Sequence, residues 1–387
     1  MKTWKIAIAR DMAIPQLGGH GLHVAFNGLP NADIVGFFDS KGDDLETVMA
    51  ATEAKRHYRD YVEMLDTEKP DIVVLCSRHP DDHFPQIQAA AERGIHIYCE
   101  KPMTASLEEA DAIVELLDRT QVKLCMAHPA RYDAAFRQMK QMIEAGQIGR
   151  PLTIHGRGKS DHRGGAEDMM VLGTHILDLQ TFFFGEPESV WAEVMLDGRP
   201  IRKGELTKTV EPIGPTAGDE IFASFRFPNS VRGLFESRRG LADPTKQKTQ
   251  MGIAVIGTKG TLSLRFDDMR DATLQMSPLP SPPDIESCFE EVPVTDPRRI
   301  PDAAPLDESL LGKQTPWARM FLSSNRFAVW DLMQSIEEDR QPVANVYNAR
   351  LTLEMIYGVY TSALTCKTVD LPIPDRTHPL EAMRKPF

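Results

Sequence analysis

Asp71-Ile72-Val73-Val74-Leu75-Cys76, with Ser77-Arg78-His79-Pro80 behind it, is the stretch from which the fold is read. Its five consecutive apolar residues are too few for a buried helix and rich in β-branched side chains. They leave no alternate position for water, so the run reads as a strand covered on both faces. Pro80 then opens a helix with an apolar stripe at Phe84, Ile87 and Ala91, closed by Gly94. The same grammar extends both ways. Upstream lie the strands Lys5–Ala9 and Asp33–Phe38, with helices expected over Leu22–Leu29 and Tyr61–Asp66. Downstream lie the strands Ile95–Cys99 and Val122–Ala127, separated by a helix from Leu107 to Arg119. Strand–helix–strand repetition with continuous apolar strands predicts an α/β domain, a doubly wound parallel sheet, over residues 1–127.

After Gly149-Arg150-Pro151 the pattern changes. Ile221, Ala223, Phe225 and Phe227 alternate with Phe222, Ser224 and Arg226; Pro228-Asn229-Ser230 turns the chain, and Val231–Arg238 alternates back. Gly257-Thr258-Lys259-Gly260 joins Gly252–Ile256 to Thr261–Phe266 as a hairpin. Residues 128–387 are therefore expected to form an α+β domain with an open, mainly antiparallel sheet. Helical patterns cover Arg319–Glu338 and Ala349–Leu364, with a last strand at Val369–Pro372. Nine of the 28 prolines fall between Ser277 and Pro316, so 277–316 reads as an arm or lid rather than core.

The 387 residues carry 44 Lys and Arg against 56 Asp and Glu, a net charge of −12 that works against a nucleic-acid or anionic-membrane partner. No apolar stretch approaches the roughly 18 residues of a membrane span. The N-terminal run Ile6-Ala7-Ile8-Ala9 is far too short for a secretion signal. Cys76, Cys99, Cys125, Cys288 and Cys366 form no close pair, as expected of reduced thiols in a cytoplasmic protein.

In a doubly wound sheet a ligand lies at the carboxyl ends of the strands, its phosphates against a helix N-terminus. The loop after Ala9 lacks the usual GxGxxG, but Gly18, Gly19 and Gly21 stand a few residues later, ahead of Leu22. Asp39 ends the second strand, where a carboxylate accepts hydrogen bonds from an adenosine ribose and repels a 2′-phosphate. NAD is therefore the expected cofactor, with NADP left open by Lys41. Ser77, His79 and His83 follow the next apolar strand and should line the same crevice. The four-residue spacing of His79 and His83 suits a metal on a helix, but Pro80 puts His79 ahead of it. His155, His162, Glu167 and Asp168 match no metal template either, and no metal is expected.

Glu100-Lys101-Pro102 stands at a further carboxyl end, so Glu100 and Lys101 are placed toward the nicotinamide region. Cys99-Glu100-Lys101-Pro102, Glu144-Ala145-Gly146-Gln147-Ile148-Gly149-Arg150-Pro151, Leu172-Gly173-Thr174-His175-Ile176-Leu177-Asp178 and Ile256-Gly257-Thr258-Lys259-Gly260-Thr261 occur in this order behind the Rossmann-like start. With these motifs the sequence resembles the Gfo/Idh/MocA family, the oxidoreductases grouped around glucose–fructose oxidoreductase and inositol dehydrogenase. The resemblance covers nearly the whole chain except the loops 198–218 and 277–316. It implies a dinucleotide-binding domain over 1–127 and a substrate-binding and oligomerisation domain over 128–387. It further implies NAD(P)-dependent hydride transfer to or from a secondary hydroxyl of a sugar, glycoside or cyclitol, by a homo-oligomer (dimer or tetramer). Lys101 matches the family's catalytic lysine and His175 its catalytic histidine. The chemistry suits them, since an imidazole accepts the hydroxyl proton near neutral pH and an ammonium stabilises alkoxide charge.

One departure stands out. The family commonly has Asp four residues before the histidine, where this chain has Val171. On one continuous helix 171, 175 and 178 would share a face with 168 a turn behind, leaving Asp178, Asp168 or Glu167 to approach His175. Asp161, His162 and Arg163, in a polar loop feeding that helix, are candidate sugar contacts, as are Asp168 and Asp178. Arg131 matches an arginine the family places near substrate, or holds Asp133 or a helix end. Two other activities remain open for such a chain: a redox-neutral NAD-dependent glycosidase or lyase acting through a transient keto-sugar, and a non-catalytic sugar or nucleotide sensor.

Overall fold

The computed structural model describes residues 2–11, 13, 20–42, 44–202, 204–242, 251–265, 273–278, 289–311 and 318–381. Gly18, Gly19 and Cys288 lie outside the described residues. The chain divides into two compact units. The first comprises Met1–Thr104, Glu109–Tyr132 and Pro297–Ala349; the second comprises Ala105–Glu108, Asp133–Asp296 and Arg350–Phe387.

The first unit is built on strands β1 (Trp4–Ala9), β2 (Ala32–Phe38), β3 (His57–Tyr58), β4 (Ile72–Leu75), β5 (His96–Cys99) and β6 (Leu124–Met126). Their spatial order is β3-β2-β1-β4-β5-β6, and every pairing is parallel. The reversal of direction beside β1 is the point at which such sheets bind ligands. Ile6, Ile72, Val73, Val74, Leu75, Ile97 and Tyr98 have no exposed surface, which is why these strands read as unbroken apolar runs. Helices α1 (Leu45–Thr52), α2 (Tyr61–Glu68), α3 (His83–Ala91) and α4 (Leu107–Thr120) connect them.

Two expectations change here. Leu22–Leu29 forms no α-helix: only Leu22–Val24 is a 3₁₀ turn. The backbone bonds run from Val24 to Gly21, Ala25 to Leu22, Asn27 to Val24 and Leu29 to Phe26, all three residues back. Left-handed Gly21 and left-handed Gly28 bound the segment, and the bonds within it close the tighter 3₁₀-type turns. The boundary expected at 127 falls instead at Tyr132, and Pro297–Ala349, expected in the second domain, packs into the first unit. The helix Ala318–Glu337 buries Leu322, Ala328, Val329 and Leu332 there. Asn345 bridges to Cys125 at the β6 edge, and Ala304 donates its N–H to the carbonyl of Gly28.

In the second unit α5 (Ala134–Glu144) leads to β7 (Pro151–Arg157), α6 (Ala166–Val171), α7 (Gly173–Phe184) and β8 (Ser189–Leu196). There follow β9 (Arg199–Pro200), β10 (Glu220–Arg226), β11 (Arg232–Arg238), β12 (Gly252–Gly257), β13 (Thr261–Arg265), β14 (Thr273–Ser277), β15 (Glu290–Glu291) and β16 (Val369–Asp370). The sheet runs β15-β14-β13-β12-β7-β11-β10-β8-β16, with β9 paired to β8. It is antiparallel except for β7 against β11. The alternation read from the sequence holds, with Ile221, Ala223 and Phe225 buried between the half-buried Phe222 and Ser224.

Candidate functional site

The carboxyl ends of the parallel strands gather the first group of residues. Gly21 adopts φ +78°, a left-handed conformation that glycine takes without strain. Asp39 ends β2 buried, its Oδ1 accepting the N–H of Lys41 at 3.2 Å and its Oδ2 that of Gly42 at 3.0 Å. The His57 Nε2–H donates to the Asp39 carbonyl at 2.8 Å. The carboxylate is thus fixed in a turn that holds it at the strand end.

At the end of β5, Glu100 and Lys101 are each 1% exposed. Glu100 Oε1 accepts the N–H of Lys101 at 2.9 Å, and its Oε2 lies 2.9 Å from His20 Nδ1. An ionised carboxylate only accepts, so Nδ1 carries the proton. The carbonyl of His20 accepts from Asn325 at 2.6 Å, Asn325 accepts from the Tyr98 hydroxyl at 2.8 Å, and the His20 ring lies 4.9 Å from that of Phe321. Burial alone would push the Glu100 carboxyl up; His20, Lys101 and Arg78 overcome it and hold it at about 2. Burial keeps the His20 imidazole below its ordinary value, with Glu100 pulling the other way.

His83 has no exposed surface. Its Nε2 faces the Ser77 carbonyl at 2.8 Å, and its Nδ1 faces the carbonyls of Pro102 and Met103 at 3.0 Å. The ring therefore braces the chain after β4 against the chain after β5 and has no face for a ligand. Ser77 Oγ donates to Asp82 at 2.5 Å and accepts the N–H of His79, which stands just ahead of a 3₁₀ turn at Pro80–Asp82. Arg131, also buried, donates to the carbonyl of Val343 at 3.2 Å, while Asp133 caps α5 through the N–H groups of Ala135 and Phe136.

In the second unit the polar loop after β7 is tied to itself. Arg163 reaches Asp161 with Nη2 at 3.0 Å and Glu211 with Nη1 at 2.8 Å, and Lys159 lies 3.4 Å from Asp161. Glu167 accepts the N–H groups of Val210 and Glu211 at 3.0 Å. Asp168 accepts from the N–H of Ser160 and the hydroxyl of Ser237. His162 alone of the loop's candidates projects outward, with 65% of its side chain exposed. The expected approach of Glu167 or Asp168 to His175 is thus replaced by these bonds, and Asp168 has no exposed surface.

The single helix expected here is two. Leu172 (φ −110°) separates α6 from α7, and His175 donates its N–H only three residues back, to Leu172. A Cβ on Gly173 would meet the Phe235 ring at 2.8 Å, so a side-chain-free residue with low helix propensity stands at the break. Val171, His175 and Asp178 are all buried in this unit.

Residues 18–128 match the GFO/IDH/MocA model described as an oxidoreductase family with an NAD-binding Rossmann fold, and residues 136–263 match its C-terminal domain. The chain belongs to the GFO/IDH/MocA oxidoreductase family. A myo-inositol 2-dehydrogenase of Thermotoga maritima is 23% identical over 64% of this chain and 72% of its own. A scyllo-inositol 2-dehydrogenase (NAD(+)) of Bacillus subtilis is 26% identical over 72% of this chain and 81% of its own. In fold, a levoglucosan dehydrogenase solved with NADH and levoglucosan superposes with a TM-score of 0.73 at 18% identity, covering 96% of this chain and all of the other.

The GFO/IDH/MocA cofactor suits the residues present: left-handed Gly21, the fixed Asp39 carboxylate and the Glu100–Lys101 pair stand at carboxyl ends of one parallel sheet. Among the described residues no three His, Cys, Asp or Glu side chains cluster as a metal site, and no helix is long and apolar enough to cross a membrane. Sequence reasoning missed the bond of His20 to Glu100 and the role of Asn325. The first had a signal, a histidine between Gly19 and Gly21; the second, 305 residues from His20, had none.

Proposed function

We propose that this chain is an NAD-dependent dehydrogenase of a sugar, glycoside or cyclitol, with NADP tolerated less well because Asp39 meets the ribose. The observation that carries the reading is the seating of Lys101. Its peptide N–H is held by the ionised Glu100 at the carboxyl end of β5, and the chain beyond it is braced by His83. NAD, when bound, supplies the hydride acceptor. Lys101 stabilises negative charge on the reacting oxygen. His175 accepts the hydroxyl proton and returns it in the reverse direction. Glu100, held ionised, puts a negative charge next to the lysine. Asp161, His162 and Arg163 supply polar groups for a hydroxyl-rich substrate, with His162 the exposed member.

A reducing cytoplasmic setting agrees with Cys76, Cys99 and Cys125, which are unpaired and buried. A homo-oligomer agrees with the open face of the second sheet, where Trp191 is 38% exposed beside Phe222. The test is Lys101→Ala. Turnover of a reactive sugar or cyclitol should fall by about 10²–10⁴-fold while the thermal shift given by NAD stays. Normal turnover in this variant sinks the reading. Sugar release without net NADH from the unaltered chain would point instead to the redox-neutral reaction.

A further inference from the structure

Asp168 is a buried titratable group for which the reaction above has no use. Oδ2 accepts the N–H of Ser160 at 3.1 Å and the hydroxyl of Ser237 at 2.5 Å, while Oδ1 has no hydrogen-bond partner. Ser237 Oγ accepts the N–H of Gly165 at 2.9 Å, and Ser160 Oγ accepts that of Arg238 at 3.2 Å. The carbonyls of Ser160 and Asp161 accept from Ala242 and Gly240. One carboxyl therefore joins the chain leaving β7, the end of β11 and the first turn of α6, the points from which the loop 160–165 hangs. The fit is close: a Cβ on Gly158 would lie 2.1 Å from Oδ2.

The charges facing Asp168 do not neutralise it. From the loop, Arg163 is engaged by Asp161 and Glu211, and Asp161 adds a second negative charge. From β11 comes only the neutral Ser237, and on its own helix Glu167 is turned to the amides of Val210 and Glu211. A buried carboxylate needs donors on both oxygens, so Oδ1 is where a proton belongs.

We propose that Asp168 is a positioning residue whose proton holds the loop 160–165 in place, so that substrate affinity weakens when the proton leaves. This rests on the dehydrogenase reading only in taking that loop to meet substrate. With the proton on Oδ1 the group is neutral, and Oδ2 keeps both of its donors. Without it, a buried charge with one bare oxygen favours opening to water. Burial pushes this carboxyl up to about 6, against the pull of Ser237 and Ser160, which brings the change within reach of ordinary buffers.

The experiment compares the unaltered chain with Asp168→Asn by two readouts. Amide exchange in 158–165 and 237–242, corrected for intrinsic rates, should lose protection by about tenfold between pH 5.5 and 7.5 in the unaltered chain and stay flat in the variant. Over the same range KM should rise by a similar factor in the unaltered chain and not in the variant, with kcat following its own profile in both. Ser237→Ala serves if the first variant fails to fold: losing a donor to the charged form, it should move the midpoint of both curves to higher pH. Curves unaffected by either substitution overturn the proposal while leaving the dehydrogenase reading intact. Exchange that follows Asp168 in a chain that oxidises no polyol keeps the latch and removes the reading.

Discussion

Of the carboxylates buried in each unit, Glu100 in the first and Asp168 in the second are driven in opposite directions. Glu100 is held at about 2, below its ordinary 4.5, because His20, Lys101 and Arg78 outweigh its burial. Asp168 is pushed to about 6, above its ordinary 3.8, because burial faces little but neutral hydroxyl and amide donors. Burial at equal depth does not set a charge; the neighbours do. Glu100 is ionised in the folded chain whenever Lys101 needs a counter-charge, whereas Asp168 changes form close to neutrality.

The comparison breaks most severely at Glu100. Glu100→Ala removes a buried anion on which the charges of His20, Lys101 and Arg78 act, and urea unfolding should show a loss of about 3–5 kcal/mol at pH 7. A variant within 1 kcal/mol of the parent (roughly the worth of an exposed ion pair) would show that the Glu100 charge contributes little to stability. The unaltered chain sharpens the comparison by the signs of its pH dependence. Glu100, with its folded value depressed, contributes about 3 kcal/mol above pH 4.5 that is lost as pH falls toward 2. Asp168, with its folded value raised, contributes about 3 kcal/mol below pH 3.8 that is lost as pH rises toward 6. Denaturant midpoints measured from pH 3 to 8 should fall across pH 4–6 by more in the parent than in Asp168→Asn. The smallest effect belongs to Ser237→Ala, about 2 kcal/mol at neutral pH, from two lost hydrogen bonds, one donated to Asp168 and one accepted from Gly165.

The parallel sheet was legible because both of its faces are covered, so each strand wrote itself as a short apolar run; Ile72–Leu75 is the plainest case. That Lys101 follows the end of a strand and that His175 lies on a helix could be read from their motifs. The helix over Leu22–Leu29 was misread because its apolar spacing ignores the two glycines that bound it. The face shared by 168, 171, 175 and 178 was misread because the break at Leu172 depends on Phe235, from a strand 60 residues on. The placements of Asn325 and Ser237 were beyond reach for the same reason: their partners are distant in sequence, and Ser or Asn carries no signature of its neighbours. The place of Pro297–Ala349 in the first unit was hidden too, since an amphipathic helix does not announce which sheet it covers.

That last segment has a consequence for how the chain is made. Strand β6 is one rim of the first sheet, and among the described residues its outer side pairs with Ala344 and Asn345, whose partners at Met126 and Cys125 leave the ribosome more than two hundred residues earlier. Throughout that interval a nascent chain carries an open ladder of backbone donors and acceptors, the kind of template on which neighbouring chains mispair. Sealing of the first-made third therefore waits on the last quarter of translation.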